Sequence, residues 1–150
     1  VSISLWDGGI PILGVVHHLF SNDVFTSFQH RGAYKNDHRI SVNAIKQKNE
    51  AILATGLPSG RDYSKESLDK FIINIQEYKK IRMLGSAALM LAYVSCGVFD
   101  VYHEEDIYIW DVAAGLAIIL EAGGSYIIIP GNNVFQYNVK ASNKALIDLV

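Results

Sequence analysis

Residues Ile109 to Gly124 read IWDVAAGLAIILEAGG, and the rest of the chain is read outward from this stretch. The run from Val112 to Leu120 is apolar throughout and reads as a helix ended by Gly123-Gly124. One carboxylate, Asp111, stands at its mouth. An ionised carboxylate buried without a partner costs several kcal/mol or takes up a proton. Two readings follow. Either Asp111 is exposed and favoured by the helix dipole, worth about 0.3–1 kcal/mol, or it holds a cation.

Upstream, Arg82-Met83-Leu84-Gly85-Ser86-Ala87-Ala88 reads as a strand, Ile81 to Leu84, entering a helix from about Ala87 to Cys96 that Gly97 stops. The unpaired N–H groups and the dipole at such a helix start favour a phosphate or another anion. Ser86 can equally be a plain cap. Val98 to His103 reads as a strand, so Asp100-Val101-Tyr102-His103-Glu104 brings a carboxylate to a strand end. That carboxylate and Asp111 then converge on the C-terminal edge of a sheet, where open α/β folds put their sites. Glu105 and Asp106 read as solvated loop charges. Mg²⁺ takes an octahedral set of oxygen ligands, so Asp111 alone leaves such an ion almost wholly in water.

The opening third is rich in strands. Val1 to Leu5, the turn Asp7-Gly8-Gly9 and Ile12 to Val16 make a hairpin, followed by a strand from Val24 to Phe28. Arg31-Gly32-Ala33-Tyr34 reads as a turn leading to His38–Val42, and Glu50 to Thr55 as a buried strand closed by Gly56, Pro58 and Gly60. From Ser64 the period changes: Leu68, Phe71, Ile72, Ile75 and Tyr78 line one helical face, with Ser64 and Ser67 as capping residues. Tyr126–Ile129 and Phe135–Val139 read as strands, and Asn143 starts a last short helix. The class is a layered α/β (α+β) sandwich in one domain.

With 150 residues the chain buries roughly 70% of its unfolded surface. Half of it is hydrophobic, its net charge is −2 and its basic residues are scattered, which leaves no footprint for nucleic acid or an anionic membrane. No stretch approaches the roughly 20 apolar residues of a membrane span. The single Cys96 excludes an internal disulfide and fits a reducing, cytoplasmic setting; its apolar neighbours make it a buried small hydrophobe. His17-His18 follow a strand with no second cluster, and read as structural histidines.

The stretch IWDVAAGLAIILEAGG closely resembles the signature W-D-x-A-A-G…E-A-G-G of the inositol monophosphatase family. The segment IRMLGSAALMLAYVSCGVFDVYHE is similar to that family's R-x-x-G-[ST]-A-A-L…G…D-x-Y-x-E, VSISLWDGGIPILGVVHH to its strand pair, and KASNKALIDLV to its terminal A-S-N and helix. The resemblance implies a fold like that of inositol monophosphatase and fructose-bisphosphatase. It also implies Mg²⁺-dependent hydrolysis of a small-molecule phosphate monoester of inositol or a sugar, and frequent dimerisation. By the same resemblance Asp111 is a metal ligand that also approaches a substrate hydroxyl. Gly85, Ser86 and Ala87 line the substrate pocket, and Glu104 hydrogen-bonds a substrate hydroxyl. The family's D-P-[IL]-D-G-T motif, with two metal-binding aspartates and the threonine that helps activate water, does not occur here. The expectation is a domain incomplete at its N-terminus, with its catalytic residues upstream of Val1 and little activity of its own. The alternative is a non-catalytic ligand-binding or interaction module that has lost the metal motif.

Overall fold

The computed structural model describes residues 1–57 and 62–149. Pro58 and Gly60, expected to close a strand, lie outside them.

Strands β1 (Ser2–Asp7), β2 (Ile10–His18), β3 (Asp23–Phe28), β4 (Gly32–Lys35) and β5 (His38–Ile40) form an antiparallel sheet in chain order. The Arg31–Tyr34 turn is corrected here. Gly32 to Tyr34 belongs to β4, because Ala33 packs fully buried in the core. Reversal falls instead on His30 and on Asn36-Asp37, all with positive φ. Asn and Asp tolerate that conformation, which two-residue hairpin turns require.

The second sheet has the order β7-β6-β8-β10-β9, built from β6 (Ile52–Thr55), β7 (Lys80–Arg82), β8 (Val101–Tyr108), β9 (Gly124–Pro130) and β10 (Gln136–Asn143). β6 runs parallel to β7 and β8, and β10 antiparallel to β8 and β9. Between the sheets lie α2 (Ala87–Ser95) and α3 (Ile109–Glu121), while α1 (Lys65–Ile75), capped by the Ser64 hydroxyl, covers the far face of the second sheet through Ile75. The order of layers is therefore sheet, helix pair, sheet, helix.

Each helix of the central pair is apolar on two sides because it serves two cores. Met90, Leu91, Val94, Val112, Leu116 and Ile119 pack on the second sheet. Ala92, Ala114 and Ile118 pack on Val16, Phe25 and Ala33 of the first. Small residues in the A-A-G run set the spacing. A Cβ on Gly115 would overlap Leu91 of α2, and one on Gly14 would sit 2.5 Å from the Ala114 carbonyl. Helix α2 and the first sheet therefore both approach α3 more closely than larger side chains allow.

The strand expected over Val98–His103 also shifts. Val98 and Phe99 turn back to donate to the Tyr93 carbonyl at the end of α2, and Asp100 points inward, accepting from the Ile52 N–H at 2.5 Å and from Asn43. The strand starts at Val101 and runs past Glu105 and Asp106, so these two are strand residues rather than loop charges. At the C-terminus, Asn143 does not start the expected helix but ends β10; its Oδ1 accepts from the N–H groups of Ala145 and Leu146 in a turn, and a short 3-10 helix follows only at Ile147–Leu149.

Candidate active site

β8 ends at Tyr108 and α3 begins at Ile109 without a connecting loop. That junction places strand-borne Glu104 and helix-borne Asp111 on one cleft of about 770 Å³. Gly85, Ser86 and Ala87, where β7 gives way to α2, line the same cleft, so all five sequence-derived site residues open onto it. The cleft continues over Gly56, Leu57, Tyr108, Trp110 and the His17–Phe20 rim.

Each group is held by neighbouring structure. Gly85 takes φ +71, a conformation glycine adopts without strain, which turns the chain into α2. The Ser86 hydroxyl accepts from the Leu89 N–H at 3.4 Å, so Ser86 is the helix cap while it lines the cleft. Glu104 is buried, and its Oε2 accepts the hydroxyl proton of fully buried Tyr102 at 2.9 Å. The two alternate along β8 and so share one face. A side-chain carbon on Gly56 would overlap Glu104 Oε1, so glycine at 56 makes room for the carboxylate.

Burial pushes the Glu104 carboxyl above its ordinary range; the Tyr102 hydroxyl opposes this and the Asp111 charge adds to it. Burial also raises Asp111. No salt bridge among the described residues involves either carboxylate, and none of the described residues lining the cleft is Lys or Arg. Two desolvated carboxylates without a cationic side chain suit a hard cation in donor type. In number they fall short: among the described residues no group of three or more His, Cys, Asp or Glu is placed to hold a metal. The site fits Mg²⁺ as one part of a larger ligand set.

Other candidates are engaged by local partners, the two histidines among them although they lie on the rim of the cleft. His17 pairs with Asn22, and His18 with Ser21. The half-buried Cys96 thiol is pushed up by burial. Asp100 is structural, fastening β6 and Asn43. Sequence reading missed the roles of Gly56, Tyr108, Trp110 and Asp106; only the position of Trp110 beside Asp111 hinted at any of them. It also missed Glu121, whose two oxygens accept the N–H groups of His30 and Gly32, each at 2.9 Å, and so fix the β3–β4 turn to the end of α3.

The family model described as the inositol monophosphatase family matches residues 1–149. The chain is 40% identical over 125 residues to the Nus factor SuhB of Xylella fastidiosa, covering 83% of this chain and 46% of that protein. It is 36% identical over 154 residues to inositol monophosphatase 2 of Solanum lycopersicum, covering 99% of this chain and 58% of the relative. The structure of the extragenic suppressor protein suhB from Bartonella henselae superposes with a TM-score of 0.86 at 33% identity, covering 99% of this chain and 58% of that one. The chain thus spans about half the length of the curated relatives it matches. With its fold and its sequence in agreement, the chain belongs to the inositol monophosphatase family.

Proposed function

We propose that this chain forms the substrate-recognition wall, and supplies one metal ligand, of a Mg²⁺-dependent phosphatase acting on a phosphate monoester of inositol or a sugar. The observation that carries the reading is the meeting of Asp111, Glu104 and the Gly85–Ala87 helix start on one cleft, in a chain of this family. The start of α2 favours an anionic phosphate through the positive end of its dipole. Glu104, fixed by Tyr102, accepts a hydrogen bond from a substrate hydroxyl and so orients the ring. Asp111 offers its carboxylate to the cation and to a neighbouring hydroxyl, and the close-packed helix behind it fixes its direction.

Mg²⁺, when bound, polarises the phosphoryl group and offsets the charge that develops on it. One carboxylate does not make that site, so the remaining ligands and the water-activating group come from protein outside these 150 residues. On this reading the domain is one part of the fold, and the chain alone turns over little substrate. We also read the protein as cytoplasmic, which its lone thiol supports, and carry over a homodimer from the resemblance. No helix among the described residues is long and apolar enough to cross a membrane.

The test is phosphate release from inositol 1-phosphate by the protein isolated from its source, with and without Mg²⁺. Mg²⁺-dependent release that Asp111→Asn abolishes, and for which Glu104→Gln raises KM, supports the reading. Retained binding of the ester with no release in either condition favours a non-catalytic module.

A further inference from the structure

Asp106, in the middle of β8, adopts φ +53. The register between β8 and β10 slips at this point, with Tyr137 opposite Ile107 but Val139 opposite Glu104. Asp106 thus stands in a bulge, in the left-handed conformation that glycine commonly takes there. Three hydrogen bonds hold it. Its N–H donates to Asn138 Oδ1 at 2.9 Å, its Oδ1 accepts the Asn132 N–H at 2.8 Å, and its Oδ2 accepts from Asn132 Nδ2 at 2.6 Å. Gly131 lets the loop close on this carboxylate, since a Cβ there would lie 2.5 Å from Asp106 Oδ1.

The tied loop ends at Phe135, itself at φ +66. Its carbonyl accepts the N–H of Ile109, the first residue of α3, at 3.0 Å, and its ring packs on Trp110 with centroids 6.1 Å apart. This bond satisfies one of the N–H groups that the start of α3 leaves without a partner in the helix, and Tyr108 at the N-cap position adds no side-chain capping bond. Tyr108 and Trp110 stack at 4.6 Å on the same junction. Asp111 follows directly.

We propose that Asp106 is a positioning residue. By locking Asn132 it holds the Phe135 carbonyl as the cap of α3, and thereby sets the direction of Asp111 and the Tyr108–Trp110 wall of the cleft. This rests on the reading of Asp111 as the cation ligand, but its test does not depend on turnover.

Two variants, made in the protein as it is isolated from its source, break the tie in different ways. Asp106→Gly keeps the left-handed backbone and loses both bonds to Asn132. Asn132→Asp leaves β8 untouched and sets a second carboxylate against the first, so it also serves should the glycine variant fail to fold. Amide hydrogen exchange at Ile109, Trp110 and Asp111 is expected to quicken about tenfold, with loss of the near-ultraviolet dichroism of the Tyr108–Trp110 stack. Exchange at Leu91 and Val94 in α2 stays as it was. Unchanged exchange at 109–111, or an acceleration spread evenly over the chain, overturns the proposal.

Discussion

The Glu104 carboxylate fills the space that a side chain on Gly56 would occupy. Strand β6 is therefore followed by a residue without a Cβ where β8 presents its buried acid, and Tyr102 holds that acid from the strand's own face. A side chain at position 56 is tolerated only if Glu104 changes too.

Gly56→Ala should force Glu104 off the Tyr102 hydroxyl and cost about 1–3 kcal/mol. In a Glu104→Ala background the same change should cost little. Urea unfolding of the four proteins gives the coupling energy, and additive effects would count against the contact.

The sign of the pH dependence follows from burial. The folded Glu104 carboxyl lies above its ordinary value of 4.5. The stability linked to it is therefore fully present below about pH 4.5 and lost as pH rises through the folded value. Glu104→Gln removes that loss while leaving an acceptor for Tyr102. Its stability relative to wild type should grow from about pH 4.5 toward neutrality. Denaturation midpoints across this range check it; a constant difference would contradict it.

Glu121→Ala removes the acceptor of two backbone N–H groups and should cost about 2 kcal/mol. Because it frees the β3–β4 turn, exchange at His30 and Gly32 should quicken before any change in β8. Unfolding and exchange data together check this.

Gly115→Ala places a methyl group on Leu91 between α2 and α3. A loss of about 1–3 kcal/mol is expected, and adding Leu91→Ala does not recover it, because the Leu91 Cβ that meets the new methyl group stays in place. Thermal unfolding of the wild type and the two variants decides it; a double variant as stable as the wild type would contradict it.

The periodic parts of this fold were legible. α2, α3 and their glycine stops follow from apolar runs and turn chemistry, and the Ser64 cap from its spacing to the helix. The misreadings share one cause. Arg31–Tyr34, Val98–Asp100 and Glu105-Asp106 are short segments in which the deciding side chain or backbone group has a partner distant in sequence: Glu121 for Gly32, Ile52 and Asn43 for Asp100, Asn132 and Asn138 for Asp106. Local propensity carries no information about such partners. The candidate site residues rest on motif resemblance; spacing alone leaves Asp111 divided between a dipole partner and a cation ligand. Gly56 was invisible as a site residue because its role is only to be absent from the space of Glu104.

The central claim is that Asp111 serves a cation in a phosphatase site, and one measurement tests it most directly. Phosphate release from inositol 1-phosphate is followed in the protein from its source, as wild type and as Asp111→Asn, over a Mg²⁺ titration, with the polypeptide mass determined on the same sample. The account predicts Mg²⁺-dependent release by a species larger than 16.6 kDa, lost by at least about a hundredfold in Asp111→Asn. Release that is independent of Mg²⁺, or equal in the two proteins, would contradict it.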